Sequence, residues 1–368
     1  MNRSSLVPAA LARVPWGMLA LVAGITFFGL TVLYSAAGGR LMPWALPQGV
    51  RFVAFLGGAL VLSRLSLPQL RALAWPIYLA LITMLVGVEA LGAVAGGSRR
   101  WLDLGIIRLQ PSELMKPAIV LALARFYDML PAAEIRRFSA IWPAALLIGV
   151  PFALVMVQPD LGTSLMIVFG GITTMFLAGV PLRLFAGGVA AAAGMTPILL
   201  SLMHDYQRSR IEIFLNPESD PLGTGYHIIQ SKIAIGSGGI LGKGFLQGTQ
   251  SHLDYLPEGH TDFAFATMAE EWGMIGGVGI ILGFCGVIGW ALKVAVAAET
   301  RFGRLAAGGL ATTIFFYVAI NLSMVMGLAP VVGIPLPLIS WGGSAMMTVL
   351  ICLGLLMAID RDTKLRTR

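Results

Sequence analysis

Uncharged, strongly apolar stretches recur along this chain with no two-residue alternation, and most are long enough to cross a lipid bilayer as a helix. They cover residues 16–36, 52–63, 72–88, 138–159, 161–182, 184–203 and 272–292. Each predicts a transmembrane helix, because a helix satisfies its own backbone polar groups where no water is present to do so. Between Arg304 and Asp360 there is no charge at all, which is too long for one crossing; Pro330, Pro335, Pro337 and the pair Gly342-Gly343 divide it into two helices. A further helix is expected over 109–130, although Glu113, Lys116 and Arg125 interrupt it. The short stretch 52–63 lies between Arg51 and Arg64, whose side chains can snorkel to the two interfaces. The expected fold is an all-α polytopic membrane protein of about ten transmembrane helices. All of it forms one transmembrane domain over residues 1–368.

Composition agrees with this pattern. Of 368 residues 57% are hydrophobic and 12% charged, with a mean hydropathy of +0.84, so no separate soluble enzyme domain fits. Cys285 and Cys352 both lie within apolar runs and read as packing residues, with no disulfide framework. Arg3 and Arg13 before an apolar run ending at Ser35-Ala36-Ala37 resemble a signal peptide, but the run is long for one and more spans follow. It is read as an uncleaved first helix.

The net charge of +7 is scattered over loop ends, which suits membrane topology and not a nucleic-acid partner. Assigning loops alternately to two faces puts 15 of the 25 Lys and Arg on the side of the termini. By the positive-inside rule that side is cytoplasmic. Four unusual segments then share the opposite, extracytoplasmic face: 97–110, the hairpin 158–160, a large loop at 204–261 between helices seven and eight, and the proline-rich 328–344. A loop of that size is more than a connector.

All four histidines (His204, His227, His252, His260) fall in the large loop, with Arg208, Arg210, Lys232, Lys243, Asp254 and Glu258. A water-facing loop collects polar residues in any case, so the clustering admits a plain explanation. A zinc site from His252, Asp254, His260 and Asp262 matches no HExxH or paired CxxC spacing. Asp262 is the strongest catalytic candidate: a carboxylate at the membrane boundary facing a basic loop can take a proton from a hydroxyl held at headgroup level. Its alternative role is capping the helix that follows. Glu113 and Lys116 either neutralise each other within the bundle or make Lys116 a phosphate ligand. Glu270 and Glu271 are as well suited to structural pairing as to catalysis. The glycine-rich 235–244 fails the Walker test, having Ser237 and Gly244 where Gly and Ser or Thr are required. It is either a wrap for a pyrophosphate or a flexible packing segment.

Four runs together resemble one known family: GTQSHLDYLPEGHTDFAFA at 248–266 followed by Glu270-Glu271-Trp272-Gly273, RRWL at 99–102 with QPSELMK at 110–116, QPDLGT at 158–163, and GIPLPLISWGGS at 333–344. These resemble the signatures of the SEDS family (shape, elongation, division and sporulation), in the same order and along nearly the whole chain. The Gly-Thr-Gln-Ser lead-in is closer to the RodA-type elongation branch than to the division branch. Gly259 departs from the Arg often found there, so another basic residue must supply that charge.

The resemblance implies a peptidoglycan glycosyltransferase that polymerises the undecaprenyl-pyrophosphate-linked disaccharide lipid II on the outer face of the bacterial cytoplasmic (inner) membrane. It carries the catalytic aspartate onto Asp262. Substrate-binding candidates are Lys116, Glu113, Arg208, Arg210, Lys232, Asp160, Trp101, Glu258, His260 and Ser340. The leaving pyrophosphate would be stabilised by Arg or Lys, or by a divalent cation (Mg²⁺ or Mn²⁺) on acidic loop residues; no other cofactor is implied. Implied partners are a class B penicillin-binding protein that supplies transpeptidase activity, and other membrane proteins of the elongation complex. Gly170 and Gly171 mark either a prenyl groove or close helix packing. Two rival functions remain: a flippase for the lipid-linked precursor, suited by Glu89, Glu270 and Glu271, and a non-catalytic scaffold.

Overall fold

The computed structural model describes residues 14–91, 93–95, 98–103, 108–196, 201, 205–220, 223–253, 255–256 and 258–366. It is built almost wholly of helices: α1 Trp16–Ala36, α2 Ala45–Leu62, α3 Leu67–Leu91, α4 Pro111–Met129, α5 Phe138–Val157, α6 Leu161–Ala178 and α7 Leu182–Gly194. Then come α8 Asp205–Leu215, α9 Thr224–Gly238, the single turn α10 Thr249–His252, α11 Ala264–Ala297, α12 Arg301–Val325 and α13 Gly343–Arg366. Eight of the described helices are long and apolar enough to cross a membrane. The chain is thus an integral membrane protein.

Helix α4 is too polar to count among those eight, and its place explains how it tolerates charge. It lies inside the bundle, with nearly every residue from Pro111 to Ala124 buried, so Glu113 and Lys116 meet protein and not lipid. Helices α12 and α13 complete this centre, each 72% buried over its apolar span. Gly170 and Gly171 serve close packing: added Cβ atoms would stand 3.5 Å from Thr313 on α12 and 2.5 Å from Ile148 on α5.

Helix α2 begins seven residues before the uncharged run, because Pro47 falls in its first turn, where a backbone donor is not needed. Arg51 is therefore inside the helix. Its guanidinium lies 4.2 Å from the ring centroid of Trp341, an attraction that replaces snorkelling to an interface. The apolar run 184–203 yields only the 13-residue α7 among the described residues.

Three short strands that the apolar pattern did not predict, β1 Ala93–Ala95, β2 Ser98–Asp103 and β3 Arg108–Leu109, form a small antiparallel sheet before α4. The described residues of the large loop likewise form α8, α9 and α10.

Helix α11 is two helices. Gly273, at φ 62° and ψ −159°, adopts a backbone conformation essentially confined to glycine and separates Ala264–Trp272 from the apolar continuation. The glycine-rich segment fills the break. Lys243 and Gly244 donate backbone N–H groups to the carbonyls of Glu270 and Glu271 (3.0 and 3.1 Å), while Met274 and Ile275 donate to Gly239 and Ile240 (2.9 and 3.2 Å). A Cβ on Gly242 would come within 2.0 Å of the Glu271 carbonyl oxygen, so that glycine is required by close approach. Of the two roles considered for 235–244, packing is the one seen.

Candidate active site

The segment 258–263 leads into α11 through a turn in which Glu258 takes φ 55° and its carbonyl accepts from the N–H of Thr261 at 3.0 Å. Phe263 occupies the cap position of α11, with no side-chain cap, so Asp262 is not the helix cap. The Asp262 carboxylate is half-buried and accepts no hydrogen bond among the described residues. Burial, reinforced by the nearby negative charge of Glu258 and opposed by Arg210, raises its pKa from 3.8 to about 6. A carboxylate that keeps its lone pairs free and its basicity raised is suited to accept a proton near neutral pH.

The backbone beneath Asp262 is braced by the proline-rich segment before α13. Asn321 of α12, fully buried, donates its amide to the carbonyls of Asp262 (2.9 Å) and Ile334 (2.7 Å), tying both loops to one residue. Gly333, at φ 71°, faces the carboxylate; a Cβ there would sit 3.5 Å from Oδ2. Arg210 on α8 donates to the Val331 carbonyl at 2.7 Å, which sets its guanidinium beside the same segment. Trp341 donates its backbone N–H to the His260 carbonyl at 2.7 Å. Ser340 is buried, with its hydroxyl accepting from the Leu336 N–H (2.9 Å) and its carbonyl from Gln48 (2.8 Å).

The His260 ring is held from α2: it stacks on Trp44 with centroids 4.0 Å apart. Burial lowers its pKa, partly offset by Glu258, which favours the neutral imidazole. Trp44, Gln48 and Asn321 were not singled out in the sequence, Arg51 only as a span end, and Trp341 only by its place in the run 333–344. Asn321 had one signal: an amide in a long uncharged run must find partners inside the protein.

Glu258 and Arg210 thus act on Asp262 through their charges, His260 precedes it by two residues in the same turn, and Ser340 is hydrogen-bonded within the adjoining segment. Lys232 is exposed on α9, its stem passing close over Gly327 beyond α12. Arg208 pairs with Glu212 on the exposed face of α8. Trp101 lies half-buried on β2, opposite Ala93. Asp160 caps α6 by accepting from the Thr163 N–H at 3.0 Å, and it also meets Gln110 (3.2 Å) and Arg100 (3.8 Å). Lys116 is fully buried, donating to Glu113 at 2.6 Å and to Tyr317 at 2.8 Å; Thr348 donates to the other Glu113 oxygen at 3.2 Å. This network joins α4, α12 and α13.

The acids of α11 are each held by partners within the fold. Glu270 accepts from Lys243 (2.6 Å) and from the N–H groups of Thr249 and Gln250 (both 2.9 Å). Glu271 meets the Ser35 hydroxyl and His252. His252 is therefore turned away from Asp262, and no group of three or more metal-ligating side chains occurs among the described residues. His204 and Asp254, and the side chains of Glu89, Arg99 and Arg108, lie outside them.

Residues 15–365 match the family model FTSW_RODA_SPOVE, described as a cell cycle protein. The chain belongs to this family. It is 43% identical to peptidoglycan glycosyltransferase MrdB of Escherichia coli K12 over 95% of this chain and 94% of that one. It is 36% identical to the probable peptidoglycan glycosyltransferase FtsW of Trichlorobacter lovleyi, covering 97% and 96%. Among solved structures, a chain from a peptidoglycan synthase complex that coordinates polymerization and crosslinking superposes with TM-score 0.82 at 35% identity, covering 95% and 98%. Thermus thermophilus RodA superposes with TM-score 0.72 at 31% identity, covering 95% and 97%.

Proposed function

We propose that this family member is a peptidoglycan glycosyltransferase that polymerises lipid II during cell elongation, with Asp262 as general base. The observation that carries the reading is the Asp262 carboxylate: half-buried, without a hydrogen-bond donor among the described residues, raised to about 6, and within the field of Arg210. Asp262 takes the proton of the acceptor sugar hydroxyl as that oxygen attacks the anomeric carbon of the donor. The bond from this carbon to the pyrophosphate oxygen breaks, and undecaprenyl pyrophosphate leaves.

Negative charge grows on the leaving oxygen, and a fixed cation stabilises it more than the ground state. Arg210 is best situated for this, since it already acts on Asp262 and is anchored on Val331. It also compensates for Gly259. Lys232 and Arg208 serve a flexible substrate from the exposed helices, or a divalent cation, Mg²⁺ or Mn²⁺, joins the pyrophosphate. Glu258 keeps Asp262 basic, and neutral His260 offers a hydrogen bond to the sugar. A lipid-tethered substrate fits a site on the extracytoplasmic face, both termini then being cytoplasmic. A class B penicillin-binding protein is the partner that crosslinks the strands.

The test is polymerisation of purified lipid II by the chain together with its penicillin-binding partner. Asp262→Asn should fold and insert yet form no glycan strands. Normal strand formation by that variant would overturn the reading.

A further inference from the structure

Helix α2 has two differently used faces. Trp44, Gln48 and Arg51, spaced i, i+4, i+7, turn toward His260, Ser340 and Trp341. The rest of its first three turns forms one wall of an apolar groove of about 950 Å³, with α1 as the other wall. Phe27 and Leu30 line it from α1, and Leu46, Val50 and Val53 from α2. Phe27, Val50 and Val53 are 70%, 62% and 68% exposed, so none of the described residues fills it.

The groove is continuous with the active-site end of the bundle. Its lining includes Tyr34, Leu41 and Ala45. Tyr34 stacks on Phe245 of the large loop with centroids 6.2 Å apart, and Ala45 follows the residue stacked on His260. At this same end Arg40, exposed between α1 and α2, has no hydrogen bond or ion pair among the described residues. An apolar slot headed by a free cation is complementary to a lipid with an anionic head.

From Ala23 to Tyr34 the groove follows α1 for roughly 16 Å at 1.5 Å per residue, long enough for several repeats of an extended hydrocarbon chain. The geometry points to the α1–α2 groove as the seat of the polyprenyl chain of the lipid-linked substrate, with Arg40 at its pyrophosphate. This rests on the glycosyltransferase reading and deepens it by locating the lipid. Isoprene repeats, each with four main-chain carbons and a methyl branch, extend about 5 Å each with ~1.5 Å bonds, so the groove holds about three of them. The remainder of the chain lies in the membrane.

The experiment uses the full chain with its transpeptidase partner in detergent, and disaccharide pyrophosphates bearing one, three or eleven isoprene units. KM should fall from one to three units and change less than about twofold from three to eleven, because only the first units are buried in protein. Val50→Trp, which fills the groove from an exposed position, should raise KM for the two longer substrates about tenfold, the loss of roughly two buried methylenes, with kcat and the one-unit substrate unchanged. Arg40→Gln should raise KM at every length alike. In Asp262→Asn protein, a photoreactive residue at Val53 should capture the undecaprenyl substrate in competition with anionic phospholipid. An equal effect of Val50→Trp at all lengths, no effect, or capture of phospholipid alone overturns the groove assignment. These results are separable from the function itself: polymerisation by Asp262→Asn defeats the glycosyltransferase reading, whereas binding and capture report on the groove without turnover.

Discussion

The imidazole of His260 lies flat on the indole of Trp44, centroids 4.0 Å apart and planes inclined by 10°. This single contact couples α2 to the turn that presents Asp262, two residues further on. Because the His260 carbonyl is also held by Trp341, the turn is gripped from two sides. Trp44→Ala should lower kcat about tenfold, the effect of slightly misplacing a base, while leaving KM nearly unchanged. Trp44→Phe, which preserves a stacking face, should restore most of the loss. Steady-state kinetics of the three proteins decide the matter.

The pH dependence follows from the raised pKa of Asp262. Its ionised form is the base, so kcat/KM should fall as pH drops through about 6. Glu258→Gln removes a like charge and should move that limb to lower pH. Arg210→Gln removes an opposite charge and should move it higher. A pH profile in which neither variant displaces the limb would exclude Asp262 as the titrating group.

The same shift has a consequence for stability. Since the folded-state value of about 6 exceeds the ordinary 3.8, the fold favours the protonated carboxyl; this contribution is complete below pH 3.8 and is lost as pH rises through 6. Ionised Asp262 therefore costs stability at neutral pH, by at most about 3 kcal/mol. Asp262→Asn should melt at a higher temperature than the parent above pH 6, with the difference shrinking toward pH 4. Melting curves in detergent across that range test it.

How far all this was legible in the sequence depends on what each residue must satisfy locally. The apolar spans could be read because lipid tolerates little else, and Asp262 stood out as a carboxylate at a span boundary. Arg51 misled about α2, since a charge usually ends a span and its indole partner lies 290 positions away in the chain. The break in α11 was hidden because one glycine, Gly273, looks the same whether helical or not; only its partners in 239–244 force the conformation. Glu270 suited pairing and catalysis equally, and only the folded chain reveals the donors it accepts from. Trp44 and Asn321 act through contacts made across the bundle, and no spacing rule finds such contacts.

Breaking the plug of α11 should release the half-helix that carries Asp262. Glu270→Ala strands Lys243 and two backbone N–H groups, at a cost of about 2–4 kcal/mol. Gly273→Ala should cost at least as much, because a Cβ would stand 2.3 Å from the Gly242 nitrogen in a conformation closed to alanine. Both should lower the thermal midpoint. Retained stability in Glu270→Ala would mean that the Lys243 pair is incidental.

Lys116 and Glu113 present the sharpest choice between structure and substrate. Lys116 is 1% exposed and two of its donors are already spent on Glu113 and Tyr317, so a phosphate could reach it only by dismantling the network. If the pair is purely structural, removing one partner leaves an uncompensated charge in the bundle: Lys116→Met or Glu113→Leu alone should cost about 3–5 kcal/mol. Removing both should recover most of that, since apolar residues of similar size fill the space without a charge to solvate. The double variant should then polymerise lipid II at near the parental rate once folded. If Lys116 is instead a pyrophosphate ligand, the double variant should regain its melting temperature and still show a KM raised tenfold or more, roughly the value of a hydrogen bond to a charged group. Measuring both quantities on all four proteins separates the two roles, because stability follows the pair and substrate affinity follows the lysine alone.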